Sequence, residues 1–318
     1  MEIFRHIEDR RLRLTRSIVT MGNFDGLHLA HHCLVGNAVE DAHQLGIPSV
    51  VLTFEPHPLK VLAPERAPKL LLAHKDKMQL LQSFGIDIVV IQTFDTSFAS
   101  LQPETFVRNF LIDRLHIEKI WVGRDFRFGQ GRKGTISDLV GWGTELEFKV
   151  GAVDPILVGG VRVSSSRIRQ LVEEGRVDEA ERMLGRYHFI SGKVVTGHHR
   201  GRGLGFPTAN ISTRTEVIPL DGIYATIVEI GGERRLSVSN VGVNPTFGTG
   251  PRTVESFILD FDHDIYGDPL KLYFVKRIRP EKKFASVEQL VAQMHDDVKN
   301  ARAIFDRLEQ LHESSALR

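Results

Sequence analysis

The sequence predicts two domains of different class: a Rossmann-like α/β domain with a parallel sheet, followed by an antiparallel β-barrel with a C-terminal helix. The 318 residues allow two hydrophobic cores, because one domain usually holds roughly 100 to 200 residues. As far as about residue 165, short β-branched runs alternate with helical stretches, which is the βαβ pattern of a parallel sheet. After residue 187, runs of alternating apolar and polar residues follow one another between Gly, Pro and Asn turns, which is typical of a barrel or a sandwich.

The elements of the first domain are predicted from these runs. β-branched segments indicate strands, and apolar residues at helical spacing indicate helices. Helical spacing returns from residue 164 and ends at Gly185, so we predict a boundary there, with domains at residues 1–185 and 186–318. The predicted strands are residues 17–21, 49–54, 87–92 and 119–123, and the predicted helices begin at residue 29 or cover residues 75–84, 104–115 and 136–144.

The second domain is predicted to consist of short strands and one long helix. The alternating runs predict strands at residues 187–196, 222–230, 235–241, 253–261 and 271–275. From residue 286 to about 311, Leu290, Met294 and Val298 belong to one apolar stripe at helical spacing. We expect this C-terminal helix to pack on the barrel.

Composition excludes several classes of protein. Lys and Arg number 41 and Asp and Glu 40, so the net charge of +1 provides no global field that would attract nucleic acid or a membrane. The single cysteine, Cys33, forms no internal disulfide, and no apolar run approaches the roughly 20 residues of a membrane span. We therefore expect a cytoplasmic protein that binds small molecules, neither nucleic acid nor membrane, as a monomer or weak homo-oligomer.

The most informative segment is GNFDGLHLAHH, residues 22–32, which directly follows a predicted strand. A glycine-punctuated turn between a strand and a helix is where α/β proteins bind nucleotides. His28 and His31 are three residues apart, so both imidazoles lie on one face at the start of the helix, where backbone N–H groups attract phosphate. A zinc site is disfavoured, because adjacent helix residues point apart and no second cysteine is present.

A second candidate phosphate-binding segment lies 130 residues or more further along the chain. Ser164, Ser165, Ser166 and Arg169 combine three hydroxyls before a helix with a cation able to bind phosphate in bidentate fashion. Two further segments, residues 53–58 and 122–129, each follow a predicted strand. Their aromatic residues, Phe54, Phe126 and Phe128, suit either stacking on a planar ring or packing in the core.

These four segments, in this order, resemble the FAD-synthetase module of the prokaryotic bifunctional riboflavin kinase/FMN adenylyltransferase family. The first segment is similar to the G-x-F-D-x-x-H-x-G-H signature of nucleotidyltransferases, except that Ala30 stands where those proteins have Gly. The resemblance covers about residues 15 to 185. It implies catalytic roles for His28 and His31, ATP or phosphate binding by Gly22, Phe24, Ser164, Ser165, Ser166 and Arg169, and flavin binding by Phe54, Pro56, Asp125 and Phe128.

The second domain carries its own set of candidate residues. A glycine-rich stretch at residues 192–210 is suited to folding backbone amides around phosphate. At its end, Thr208 and Asn210 supply hard oxygen ligands two residues apart, which suit Mg²⁺ bound to ATP but also an ordinary turn. Glu255 is a carboxylate within a predicted strand, either a base that deprotonates an alcohol or an exposed cross-strand partner.

The motifs GRGLGFPTAN, GIYA, NVGVNPTF, VESFILDF and KRIRPEKKF together resemble the riboflavin kinase module of the same family, across most of residues 187–290. The resemblance implies that Thr208 and Asn210 hold Mg-ATP and that Glu255 is the catalytic base. It also assigns phosphate binding to Gly197, Arg202 and Gly203, and places Arg277 near the flavin or phosphate.

The expected function is flavin cofactor synthesis with Mg²⁺ as cofactor. Riboflavin and ATP give FMN in the C-terminal domain, and FMN with a second ATP gives FAD and pyrophosphate in the N-terminal domain. One alternative is a riboflavin kinase with a weakened adenylyl-transfer domain, because the methyl of Ala30 obstructs close approach of phosphate to the backbone. The other is a nucleic-acid-binding protein with an OB-like barrel, which the near-neutral charge disfavours.

Overall fold

The computed structural model describes residues 1–196, 206–243 and 252–316, with side chains as far as residue 310. The chain divides into two compact units. The first comprises Met1–Leu70 and His74–Ser165, and the second comprises Leu71–Ala73 and Ser166–Arg318.

The first unit contains a parallel sheet whose six described strands lie in the order β1-β4-β3-β2-β5-β6. The central strand β2 is buried along its whole length, as expected for a strand covered on both faces. The predicted parallel sheet is confirmed, and β1 and β6 are strands that the sequence analysis missed. The bounds are β1 Glu2–Arg5, β2 Ser17–Met21, β3 Ser49–Glu55, β4 Ile88–Thr93, β5 Ile117–Gly123 and β6 Lys149–Val153.

The strand order creates one crevice at the carboxyl edge of this sheet. From β2 the chain proceeds outward to β3 and β4, then returns past β2 to form β5 and β6 on the other side. Ligands bind at such a reversal of direction in open α/β sheets. The segments that follow β2, β3 and β5 therefore meet at one edge, and these segments contain the glycine-punctuated turn and the candidate flavin residues.

One predicted helix of the first unit has a different form in the structure, and two short helices, Pro58–Leu62 and Thr96–Ala99, were not predicted. Residues 104–115 were expected to form one α-helix, but Pro103–Phe106 is α-helical and Val107–Ile112 is π-helical. The backbone N–H groups of Asp113 and Leu115 bond five residues back, which gives the wider π turn. The helices are α1 Leu29–Leu45, α2 Pro58–Leu62, α3 His74–Ser83, α4 Thr96–Ala99, α5 Pro103–Phe106 and α6 Ile136–Glu145, with 3-10 turns at Pro64–Arg66 and Gln130–Arg132 and a hairpin of β7 Leu157–Val158 and β8 Val161–Arg162.

The second unit contains the predicted antiparallel barrel, closed by six described strands in the order β10-β13-β12-β11-β14-β9. The C-terminal helix packs on its outside through Ala301 and Phe305. Strand β10 was not predicted. The bounds are β9 His188–Val195, β10 Thr208–Thr213, β11 Gly222–Ile230, β12 Glu233–Gly242, β13 Thr253–Ile258, β14 Pro269–Arg279 and α9 Val287–Ala316.

Two helices, α7 Ser165–Glu173 and α8 Val177–Leu184, replace the single predicted helical stretch before the barrel. Gly175 separates them with φ +75°, and a Cβ there would lie only 2.9 Å from the Cδ of Arg277. Val177 is fully buried in the core of the barrel unit. These helices therefore belong to the second compact unit, and the domain boundary at residue 185 stays a prediction.

Two fragments test that boundary. We expect residues 166–318 to phosphorylate riboflavin, and residues 186–318 to unfold at a lower temperature, because the shorter fragment loses both α7 and α8. Each fully buried Val or Leu side chain stabilises a fold by about 1.5–3 kcal/mol, and α8 buries Val177 and Leu184. Thermal unfolding and FMN formation are measured on both fragments; equal melting temperatures and rates would place the boundary at residue 185.

Candidate active sites

The turn after β2 has an unusual backbone conformation. Phe24, Gly26 and Leu27 all have positive φ, at 50°, 83° and 40°. Such values are uncommon for residues with a side chain and persist where surrounding contacts fix them. The ring of Phe24 is fully buried, and a Cβ at Gly22 would be in ordinary van der Waals contact with it, at 3.5 Å. Of these two predicted phosphate-binding residues, Phe24 therefore shapes the turn, whereas position 22 has space for a Cβ.

His28 and His31 lie together at the start of α1, as predicted. Their rings are stacked with centroids 3.7 Å apart and planes 12° apart. His28 occupies the N-cap position in an extended conformation, and its side chain makes no capping bond. The rings of Phe24 and His31 meet in an edge-to-face arrangement at a centroid distance of 5.2 Å. The two imidazoles thus form one compact pair at a helix N-terminus, where anions bind.

The serine run contacts the same turn within the first unit. The Oγ of Ser165 donates a hydrogen bond to the backbone oxygen of Asp25 at 2.8 Å. Ser164 directly precedes α7, which begins at Ser165. Ser166 and Arg169 are three residues apart on α7, so they lie on one face of that helix.

The candidate flavin residues lie at the end of β3, directly after β3, and after β5. Phe128 is buried and stacks on Phe126 with ring centroids 5.6 Å apart, whereas Phe54 is half-buried. Pro56 is exposed. Asp125 is also exposed, and its hydrogen bond with Arg162, at 2.5 Å, lowers the pKa of its carboxyl group. Phe128 is thus part of the hydrophobic core, while Phe54, Pro56 and Asp125 have surface available for a ligand.

The sequence analysis assigned no role to Asn23 in this turn or to Lys77, which contacts it. The Nδ2 of Asn23 lies 3.2 Å from the Nε2 of His57, which joins the β2 turn to the segment after β3. Lys77, on α3, reaches the same turn. The sequence alone does not distinguish Lys77 from Lys75, which lies two residues earlier on the same helix and is exposed in the structure.

The barrel brings the candidate kinase residues into one row. In the strand register, Asn210 lies opposite Glu255, and Glu255 lies opposite Asn240 on the other side. Directly opposite residues have Cβ atoms about 5 Å apart. Thr208 lies two residues from Asn210 and therefore on the same face. All four side chains are half-buried.

This row lies on the outer face of the barrel. The residues that alternate with it, Ala209 and Ser256, are buried opposite each other. Because successive side chains of a strand point to opposite faces, the row points outward. Two strands away from Asn240 in the register, Arg279 of β14 forms a bidentate pair with the buried Asp297 of α9, at 2.8 and 2.7 Å, which ties the C-terminal helix to β14.

A second carboxylate, that of Glu281, lies beside this row of candidate kinase residues. Glu281 lies so close to Gly242 that a Cβ there would overlap its carboxylate. Burial raises the pKa of Glu281, and a hydrogen bond from Asn240 opposes that shift. Asn240 and Glu281 fall within the motifs NVGVNPTF and KRIRPEKKF, but the sequence analysis assigned neither a role.

Arg277 has a partner within the barrel unit. Its Nη2 donates to the backbone oxygen of Asp221 at 2.6 Å, so it ties β14 to the start of β11. Flavin binding by Arg277 stays a prediction. Gly197, Arg202 and Gly203 lie outside the described residues.

The described part of the chain has neither a preformed metal cluster nor a membrane-spanning helix. In residues 1–196, 206–243 and 252–316, no cluster of three or more His, Cys, Asp or Glu residues is arranged to hold a metal ion. None of the described helices is both long and apolar enough to cross a bilayer.

Comparison with known proteins gives the same two modules. A family model described as FAD synthetase matches residues 11–167, and one described as riboflavin kinase matches residues 184–305. The bifunctional riboflavin kinase/FMN adenylyltransferase of Escherichia coli K12 is 38% identical over 289 residues, which cover 91% of this chain and 92% of that protein. Proteins of the same name from Listeria monocytogenes and Pseudomonas fluorescens are each 37% identical, over 92% and 96% of this chain and 93% and 98% of their own lengths.

A solved structure shares the fold. The crystal structure of a protein described as the macrolide-efflux protein of Streptococcus pneumoniae superposes with a TM-score of 0.86 at 33% identity, covering 95% of this chain and 99% of that one. Its description differs from the enzyme names of the sequence relatives.

Proposed function

The chain belongs to the family of bifunctional riboflavin kinases/FMN adenylyltransferases, and from this premise we propose how its residues divide the two reactions. The barrel unit phosphorylates riboflavin with ATP, and the α/β unit transfers an adenylyl group from a second ATP to the FMN. The observation that carries the proposal is the register of Asn210 with Glu255, which pairs residues distant in sequence at one point of the barrel. Neither a kinase with a weakened first domain nor a nucleic-acid-binding protein is favoured by the comparisons.

In the kinase reaction, the oxygen of the riboflavin 5′-hydroxyl attacks the γ-phosphorus of ATP and ADP leaves. Glu255 accepts the proton of that hydroxyl. A positioned carboxylate contributes to such a step by orienting the alcohol and removing its proton. Asn210, opposite Glu255, keeps the phosphate end of ATP beside that base. The short cross-strand distance thus supports placing the base and the phosphate ligand in one site.

Mg²⁺ is the cofactor that these residues suit. The hydroxyl of Thr208 and the amide oxygen of Asn210 are hard ligands on one face of β10, both half-buried. Few protein ligands are needed, because Mg²⁺ keeps several waters and binds mainly to ATP phosphates. When bound, the ion neutralises phosphate charge as it builds up during transfer.

In the adenylyl reaction, a phosphate oxygen of FMN attacks the α-phosphorus of ATP and pyrophosphate leaves. The stacked pair of His28 and His31 donates hydrogen bonds to the phosphate oxygens, where negative charge increases in the transition state. Ser165 supports the proposal, since its hydroxyl donates a hydrogen bond to the turn after β2.

One incubation tests both assignments. The purified chain is mixed with riboflavin, ATP and Mg²⁺, and FMN and FAD are separated by chromatography over time. We expect FMN to appear first and FAD to follow. FMN alone would support the kinase-only alternative, and neither product would contradict the proposal. The cytoplasmic location and the monomeric or weakly oligomeric state stay predictions.

Ala30→Gly is expected to speed the adenylyl step. Ala30 is half-buried at the second position of α1, between His28 and His31, and glycine there opens the helix start to phosphate. We expect a lower KM for ATP or a higher kcat in FAD formation, with riboflavin phosphorylation unchanged. The unfolding free energy should fall by up to about 1 kcal/mol. Steady-state kinetics of both half-reactions test this prediction. An unchanged or slower adenylyl step would mean that the site has accommodated Ala30.

A further inference from the structure

A half-buried lysine, Lys77, joins two walls of the crevice in the α/β unit. The Nζ of Lys77 donates to the backbone oxygen of Asn23 at 3.3 Å and to the Oγ1 of Thr53 at 3.4 Å. The Oγ1 of Thr53 donates to the same oxygen of Asn23, also at 3.4 Å. Lys77 is thus inserted between the turn after β2 and the carboxyl end of β3.

The charge of Lys77 is held there at an energetic cost. Burial lowers the pKa of its ammonium group, and the carboxylates of Asp25 and Glu55 oppose that shift by favouring the charged form. A buried charge destabilises a fold unless nearby groups compensate it. Asp25 belongs to the β2 turn and Glu55 ends β3, so the compensating charges come from the same two walls that Lys77 joins.

The backbone conformation of the turn after β2 depends on support from surrounding residues. Phe24 and Leu27 both have positive φ, and residues with side chains keep that conformation only where their surroundings impose it. The contact of Lys77 is to the backbone of Asn23, directly before this strained part. His28 directly follows it, so any relaxation of the turn displaces the stacked histidine pair.

We infer that Lys77 is a positioning residue for adenylyl transfer: its ammonium group fixes the β2 turn against β3 and so keeps His28 and His31 aligned with the reacting phosphates. This inference rests on the proposed role of the two histidines. Displacement of aligned groups by about 1 Å can slow a reaction about 100-fold while ground-state binding changes less. Loss of Lys77 therefore lowers kcat more than it raises KM.

Two variants of the full-length chain test this role. Lys77→Met keeps the length of the side chain and removes the charge. We expect the kcat of FAD formation from FMN to fall by about 10-fold or more, with the KM values for ATP and FMN within about 3-fold of the wild type. Lys77→Ala opens space for a small cation, and added propylammonium should restore its kcat several-fold in a saturable manner.

Controls separate this role from a loss of folding. Lys75→Met removes an exposed charge from the same helix and should behave as the wild type. Riboflavin phosphorylation by the same preparations should stay within about 2-fold of the wild type, since the kinase residues lie in the other unit.

Three results would overturn the inference. The first is a kcat for Lys77→Met within 2-fold of the wild type, the second is a rise in KM alone, and the third is the absence of any effect of propylammonium on Lys77→Ala. His28→Ala, measured alongside, keeps the two proposals apart. If His28→Ala is fully active, the histidine assignment fails, and the inference that Lys77 acts through the histidines fails with it. If His28→Ala loses kcat while Lys77→Met does not, the histidine assignment stands and only the inference about Lys77 fails.

Discussion

Glu255→Gln is expected to lower the kcat of FMN formation by about 10²- to 10⁴-fold, the usual effect of removing a catalytic base. Glutamine has nearly the same shape and retains a hydrogen-bonding side chain opposite Asn210, so the barrel should fold normally. It has no carboxylate to take the proton of the 5′-hydroxyl. The measurement is steady-state phosphorylation of riboflavin at saturating ATP and Mg²⁺.

The same preparation provides an internal control for Glu255→Gln. Added FMN should still be converted to FAD at the wild-type rate, because His28 and His31 lie in the other compact unit. Glu233→Gln makes the same chemical change at an exposed position of the barrel and should leave both rates unchanged. Near wild-type kinase turnover in Glu255→Gln would show that Glu255 is a cross-strand partner rather than the base.

Local patterns predicted most of the scaffold correctly, but strand β10 was missed for a physical reason. The residues Thr208, Ala209 and Asn210 follow Pro207, and neither Ala nor Asn favours a strand. In the structure, β9 and β13 pair with β10 on its two sides and supply the hydrogen bonds that hold it extended. Tertiary pairing therefore outweighs local preference at the strand that carries two candidate Mg-ATP ligands.

The environment of the candidate sites was less predictable than their residues. The GNFDGLHLAHH segment predicted that His28 and His31 share one face, and the stacked rings agree with that expectation. The role of Lys77 depends on contacts with Asn23, 54 residues away, which no local pattern encodes. The placement of Asn240 beside Glu255 likewise depends on barrel register, which is determined by the closure of the whole sheet.

Replacement of the stacked histidines should have a comparably large effect on the other half-reaction. We expect His28→Ala and His31→Ala each to lower the kcat of FAD formation by about 10²- to 10³-fold, the usual effect of losing one donor to a transition-state oxyanion. Because the rings are 3.7 Å apart, each helps to hold the other in place. The double variant should therefore lose much less than the product of the two single effects.

Three measurements distinguish this coupled pair from two independent residues. FAD formation from FMN and ATP is followed for both single variants and the double variant, with riboflavin phosphorylation as the folding control. His43→Ala removes an exposed imidazole from the far end of the same helix and should change neither rate. A double variant whose loss equals the product of the single losses would show that the histidines act separately. Single variants within about 3-fold of the wild type would contradict their catalytic role, since loss of a transition-state donor costs far more.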